Sequence, residues 1–282
     1  MFIAVASGKG GTGKTIVSTS LALVSKNCTY IDLDVEEPNG HILLKPEIEK
    51  EIPFKLKIPK INEHVCTFCE KCADACVYNA ISIIPNLKKT LFYPDLCHSC
   101  GHCTYVCPVN GAMEEVNREI GKIRTGRSKE IKFIEGRINV GVISGVPIIS
   151  WIVNNYIDFN EINIVDSSPG TSCPVVESVK KSDYIILVTE PTPFGLSDLK
   201  LAVEIAKNMG KKAGIIVNKD TGIKNIDVYA KEVNIPILLK IPYSIEIQES
   251  YSKGIPLVDA MPEMKGKFVE LIDKIICENE KN

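Results

Sequence analysis

Eight cysteines between residues 66 and 107 carry the densest chemistry in this 282-residue chain. They form two sets of the same pattern, C-x2-C-x2-C-x3-C: Cys66, Cys69, Cys72 and Cys76, then Cys97, Cys100, Cys103 and Cys107. A shift of 31 positions maps each member of the first set onto the second and carries Asn79 onto Asn110, so the stretch is an internal duplication. Three thiolates two residues apart can wrap one face of a cuboidal 4Fe–4S cluster from a single loop. The fourth, three residues on, begins a helix that leads away and reaches a different cluster. Zinc more often takes two C-x-x-C pairs separated by a longer gap, and needs no such run twice over.

A second group of residues has the chemistry of phosphate. Gly8-Lys9-Gly10-Gly11-Thr12-Gly13-Lys14-Thr15 fits the pattern G-x-x-x-x-G-K-[S/T]. Its glycines let backbone N–H groups turn inward around a polyphosphate. Lys14 brings a charge to the β/γ oxygens, and the Thr15 hydroxyl can ligate Mg²⁺. The apolar run 2–6 before it suits a buried strand, and residues 15–26 suit a helix whose positive end faces the same anion.

Both motifs carry resemblances. The cysteine repeat resembles a bacterial-type ferredoxin with two 4Fe–4S clusters. That resemblance implies one cluster on Cys66, Cys69, Cys72 and Cys107, and the other on Cys97, Cys100, Cys103 and Cys76. Pro108 follows Cys107 as the motif expects, whereas Val77 stands where the first half would have proline. His98 and His102 lie inside the second loop and are expected to face solvent or to support the cluster from behind its ligands.

The loop K-G-G-x-G-K-T, with its extra Lys9, resembles the deviant phosphate loop of the MinD/ParA/nitrogenase-iron-protein family. The resemblance implies an α/β P-loop NTPase fold with a mostly parallel sheet, Mg²⁺-dependent ATP hydrolysis, and a nucleotide-dependent homodimer in which Lys9 reaches the partner's nucleotide. It also implies that Asp34, in the segment Thr29–Asp34, positions the attacking water. Asp32 is then structural. Asp166, ending the apolar run 162–165, would hold the Mg²⁺ shell with Thr15, and Gly170 would sense the γ-phosphate. Asn218 would read adenine, and the segment from Ile241-Pro242 to Pro256 would form a loop along the base. The whole chain resembles MinD-superfamily ATPases with an inserted ferredoxin domain. The division expected is residues 1–57 and 120–282 for the ATPase and 58–119 for the insert. Its boundaries are marked by the proline in Lys57-Ile58-Pro59 and by the glycine-rich basic stretch 121–127. Because the insert lies between two switch segments of the resembled family, ATP is expected to act on the clusters.

These residues need a scaffold of alternating strands and helices. Apolar runs at 184–189, 213–218 and 237–241 alternate with helical periodicity near 195–209, 225–233 and 262–278, which predicts a parallel sheet covered on both faces. Hydrophobic content of 45% and charged content of 24% exclude a disordered or collagen-like chain. A net charge of -2 removes the electrostatic case for nucleic-acid binding. No apolar run is long enough to span a bilayer, and tight cysteine spacing suits a reducing compartment, so a cytoplasmic protein without membrane contact is expected. Of the remaining cysteines, Cys28 and Cys277 are expected as small core residues, and Cys173 as a buried neighbour of Pro174.

Three uses of such a chain compete. One is ATP-gated electron transfer to a redox partner. A second is assembly or carriage of iron–sulfur units toward an acceptor protein, as in Mrp-type carriers. A third is positioning in the manner of MinD. The last is disfavoured, because the C-terminal stripe Phe268, Leu271, Ile272 and Ile275 ends in acidic Glu278-Asn279-Glu280 instead of a basic amphipathic tail. A complete set of eight ligands favours electron transfer over release of clusters. Cluster loading makes the protein more acidic than the bare chain, which suits a partner with a basic docking surface.

Overall fold

The computed structural model describes residues 1–280, with side chains through Asn279. The acidic C-terminal run is thus described up to Asn279, and the side chain of Glu280 lies outside it. Eleven strands are present among the described residues: β1 (Phe2–Ala6), β2 (Cys28–Asp32), β3 (Glu47–Ile61), β4 (Ile81–Ile84), β5 (Lys89–Phe92), β6 (Met113–Ser128), β7 (Ile131–Ile138), β8 (Ile162–Asp166), β9 (Tyr184–Thr189), β10 (Lys212–Asp220) and β11 (Ile237–Pro242). The helices are α1 (Lys14–Val24), α2 (Gly40–Leu44), α3 (Lys71–Asp74), α4 (His102–Val106), α5 (Val146–Asn155) and α6 (Cys173–Val179). They continue with α7 (Pro193–Asn208), α8 (Asn225–Glu232), α9 (Ile245–Ser252), α10 (Leu257–Ala260) and α11 (Pro262–Glu280).

The chain divides into two compact units. The first comprises Met1–Ile52, Ile123–Arg137 and Gly145–Asn282. The second comprises Pro53–Lys122 and Ile138–Ser144. Strands β3 and β6 each pass without a break from one unit into the other.

The main sheet runs in the order β11-β10-β9-β1-β8-β2-β7-β6-β3. The pairs from β11 through β7 are all parallel. Parallel strands covered on both faces need continuous apolar runs, and β1 meets that need with all five residues buried. Tyr30, Phe133, Leu21, Ile164, Ile186, Ile216 and Phe268 belong to one buried cluster. Helix α11 presents Phe268, Leu271, Ile272 and Ile275 to that cluster. Cys277 stands two residues past Ile275, about 200° around the helix, and is exposed, so the expected core role for it does not hold. Cys173 is exposed as well, because α6 buries Val175, Ser178 and Val179 instead. Cys28 fulfils its expectation: it opens β2 fully buried, and its Sγ lies 3.3 Å from the Ala22 carbonyl oxygen.

The punctuation around residues 58 and 119 has a different meaning from a linker. Pro53 and Pro59 lie within β3, the last strand in the sheet order, where a missing N–H costs least. Gly121 and Gly126 lie within β6, and a Cβ at Gly126 would collide with the backbone carbonyl of Glu47. The glycine is there to let two strands approach. Gly126→Ala is therefore expected to lower the melting temperature by about 5 °C, from a loss of about 2 kcal/mol to overpacking. An unchanged melt in differential scanning calorimetry would show that β3 yields at no cost.

Candidate functional site

The first unit builds its site at the carboxyl ends of β1, β2 and β8. Beyond β1, Gly11 and Gly13 take positive φ of 76° and 94°. Gly13 precedes α1 with no side-chain cap on the helix, which leaves first-turn N–H groups for an anion. A Cβ at Gly13 would strike the Asn218 side chain, which donates from Nδ2 to the Thr12 carbonyl at 2.8 Å. Asn218 thereby ties β10 to the loop. Lys14 is buried, and the Thr12 hydroxyl is shielded without a hydrogen-bond partner.

Parallel register brings carboxylates together. Val5, Asp166, Asp32 and Glu135 lie on one rung of β1, β8, β2 and β7, and all four are fully buried. Asp166 Oδ2 accepts from the Tyr30 hydroxyl at 3.2 Å, while its Oδ1 has no partner. The Thr15 hydroxyl sits beside Asp166, and Lys14 draws its carboxyl down against a larger upward push from burial. An unpartnered carboxylate oxygen beside a hydroxyl and a buried lysine is the donor set of a divalent cation with a polyphosphate. Asp32 accepts from the backbone N–H groups of Asp34 at 3.1 Å and Gly40 at 2.9 Å, and so shapes the segment after β2. Glu135 is held by Arg124, with His41 Nδ1 3.0 Å away.

A cavity of about 610 Å³ opens over the loop. Of the expected residues, Gly10, Gly11, Gly13, Lys14, Thr15, Asp34, Asn218 and Pro242 line it. Gly8, Lys9, Thr12, Asp166 and Gly170 are not among its lining residues. Thr12 and Asp166 are buried, and Gly8 packs against the Asp198 backbone. The Gly170 N–H donates to the Ser7 carbonyl at 3.0 Å. Lys9 stands 3.9 Å from Glu190 of its own chain, whose other oxygen accepts from Lys219 at 2.6 Å. The segment after Pro242 is the helix α9 rather than a loop along the base, and it turns Ile247, Gln248 and Tyr251 to the cavity. Helical spacing of 247, 248 and 251 was the available signal, hidden by the polar residues between. Nothing in the sequence marks Glu190 as the partner of two lysines.

The second unit repeats a loop. Phe68, Glu70, Ser99 and Gly101 all have positive φ, at 54°, 66°, 55° and 72°, and each of the first two lies 31 positions before one of the last two. This curl aims backbone N–H groups at sulfur: Phe68 donates to Cys66 at 3.3 Å, Ser99 to Cys97 at 3.4 Å and Ala80 to Cys76 at 3.3 Å. One recess of about 350 Å³ is lined by Cys66, Cys69, Cys72 and Cys107. Another of about 420 Å³ is lined by Cys76, Cys97, Cys100 and Cys103. Burial raises the thiols of Cys72, Cys97 and Cys103, so their thiolates need a positive partner. His98 is exposed and stacks on Tyr78 with ring centroids 3.7 Å apart. Among the described residues, no three His, Cys, Asp or Glu side chains converge on a site for a single metal ion. Nor is any helix there long and apolar enough to cross a membrane.

A strand, a glycine loop closed by a buried lysine, and carboxylates at the ends of neighbouring parallel strands define a P-loop nucleotide-binding protein. The chain belongs to the family of the CobQ/CobB/MinD/ParA nucleotide binding domain, whose model matches residues 3–257. An uncharacterized protein of Methanocaldococcus jannaschii is 31% identical over 90% of this chain and 90% of its own. An iron–sulfur cluster carrier protein of the same organism is 27% identical, over 40% of this chain and 45% of its own. The septum site-determining protein MinD of Pyrococcus horikoshii, solved with Mg-ADP, shares the fold with a TM-score of 0.55 at 20% identity, covering 97% of this chain and 95% of its own.

Asp34 offers a direct check on the site. Burial pushes its carboxyl up to about 6, helped by Asp166 and Glu36 and opposed by Lys14 and the Glu37 backbone N–H. The folded state therefore prefers the protonated form. That preference is fully present below the ordinary carboxylate range and is lost as pH rises through about 6. Asp34→Asn is expected to stabilise the nucleotide-free protein more at about pH 7.5 than at about pH 4.5, by on the order of 1 kcal/mol after allowance for partial exposure. Thermal melts of both proteins at the two pH values measure it, and equal gains would remove the burial account.

Proposed function

We propose that this protein is an ATPase that binds Mg-ATP over the glycine loop, holds two 4Fe–4S clusters on its duplicated cysteine loops, and uses the nucleotide cycle to govern electron delivery to a partner protein. The observation that carries the reading is the sorting of the eight cysteines. Each recess collects three sulfurs from one loop and the fourth from the other, the crossed pattern that a two-cluster ferredoxin requires. Residues 58–119 are then the ferredoxin-like insert, and 1–57 with 120–282 the ATPase. When bound, the clusters supply one-electron chemistry at low potential. The chain's own part is to hold them by thiolate and to offset sulfur charge with backbone N–H groups.

At the nucleotide, Lys14 and the free N–H groups of α1 neutralise phosphate charge, and Thr15 with Asp166 holds Mg²⁺. Asp34 lines the cavity from the segment shaped by Asp32 and orients the attacking water. Asn218 has committed its amide N–H to Thr12, which leaves Oδ1 as the acceptor that an adenine amino group needs, with Pro242 alongside. For Lys9 to reach a second nucleotide in an ATP-dependent homodimer, it must first leave Glu190. Gly170 must likewise exchange the Ser7 carbonyl for the γ-phosphate.

The partial likeness to an iron–sulfur cluster carrier favours a second reading, in which the clusters are cargo for an acceptor. One experiment separates the two. Anaerobically loaded protein is mixed with candidate acceptor proteins, with and without ATP, and iron is counted on each side. Retained iron with oxidised clusters supports electron transfer, and migrated iron supports carriage. Two variants test the division of labour. Lys14→Ala is expected to lower ATP hydrolysis on the order of 100-fold or more with iron content kept. Cys69→Ser is expected to lose iron while binding ATP as the parent does. Loss of both properties in either variant would contradict two separable sites.

A further inference from the structure

The two cysteine recesses share a backbone but differ in side-chain hydroxyls. Their matched donors are the N–H groups of Phe68 and Ser99, at 3.3 and 3.4 Å from Cys66 and Cys97. Those bonds are nearly the same in both halves and cannot set the halves apart. The recess lined by Cys76, Cys97, Cys100 and Cys103 is also lined by Ser99 and Thr104. Both hydroxyls are shielded from solvent, and neither has a hydrogen-bond partner. Thirty-one positions earlier the equivalents are Phe68 and Ala73, which carry no hydroxyl. The other recess has one hydroxyl in its lining, that of Thr67, and it is exposed.

A buried hydroxyl without a partner costs free energy unless something in the recess accepts from it. Cluster sulfur is such an acceptor. Reduction adds negative charge to a cluster, so a donor held against sulfur stabilises the reduced form more than the oxidised form. We infer that Ser99 and Thr104 donate to the sulfur atoms of the cluster held by Cys76, Cys97, Cys100 and Cys103, and raise its reduction potential above that of the other. This rests on the cluster reading above. One electron entering the chain settles at that cluster, which makes it the site from which a partner is served. Ser99 and Thr104 are positioning residues that act on the cluster and leave ligation to the cysteines.

The test uses the full chain, purified without oxygen. Iron and sulfide are counted first, and roughly eight of each per chain is the amount two cubanes require. Both midpoint potentials are then followed by EPR during redox titration. Ser99→Ala with Thr104→Val is expected to lower the higher potential alone. The expected size is about tenfold in the reduced-to-oxidised ratio at fixed poise, about 59 mV for a one-electron couple. The reciprocal exchange, Phe68→Ser with Ala73→Thr, is expected to raise the lower one. If iron is retained and neither pair of changes moves a potential, or the first moves both equally, the inference fails. Should the first pair lose iron, the reciprocal exchange decides alone. Too little iron in the parent overturns the cluster reading itself, and this inference with it.

Discussion

Three carboxylates buried side by side impose the constraint that the first unit is built around. Asp166, Asp32 and Glu135 share one rung of adjacent parallel strands without solvent exposure. Like charges at such spacing repel strongly in a poorly polarisable interior, and a lone buried carboxylate is costly. Each one meets a different answer. Glu135 takes Arg124 on Oε1, with His41 Nδ1 3.0 Å from Oε2. Asp32 takes two backbone N–H groups, and burial with Asp166 alongside still holds it well above the usual carboxylate range. Asp166 faces Lys14, Thr15 and Tyr30, and keeps one oxygen with no partner at all. In the proposed site a Mg²⁺ ion would complete that open valence, and the repulsion that burdens the fold would favour a cation there.

That electrostatic arrangement also explains the segment after β2. The Asp32 carboxylate collects N–H groups from Asp34 and Gly40, which draws the intervening turn over the rung. Asp34 is thereby placed at the cavity wall with its own carboxyl raised. On the far side, Glu190 collects Lys9 and Lys219. Lys219 holds that carboxylate at 2.6 Å, and Lys9 stands at the edge of ion-pair range from it at 3.9 Å.

Residue types and spacing revealed most of this unit. The glycine loop, the buried strands β1, β8, β9, β10 and β11, and the helices between them could be located from apolar runs and periodicity. Strands β3, β6 and β7 could not. Pro59 and Gly126 look like breaks in the chain, and the edge position of the first and the close strand approach at the second exist only in three dimensions. Charged side chains on β3 and β6 further mask their extended backbone. Asp34, Lys14 and Asn218 come to the cavity as their motifs imply. Glu190, Arg124 and Glu135 carry no motif, because an ion pair between two strands leaves no pattern within either one.

The cysteine loops show the opposite balance, since their spacing contains nearly all of their geometry. Left-handed residues recur at the repeat interval, and the N–H groups they release reach sulfur in both halves. Backbone conformation has therefore survived the duplication even where the residue has not: Glu70 holds a positive φ that Gly101 adopts without strain. Keeping a strained residue at one copy indicates that the curl itself is the requirement, because without it the N–H groups would turn away from the thiolates. What the two copies did not keep is the polarity behind the sulfurs. Phe68 stands in one recess where Ser99 stands in the other, and Thr104 adds a second shielded hydroxyl to the latter. Ligation tolerates either lining, since the thiolates are common to both. Electron affinity does not, because it depends on how well the surroundings stabilise one added charge. On the cluster reading proposed above, the divergence falls where it would separate two otherwise equal redox centres without disturbing how either is held.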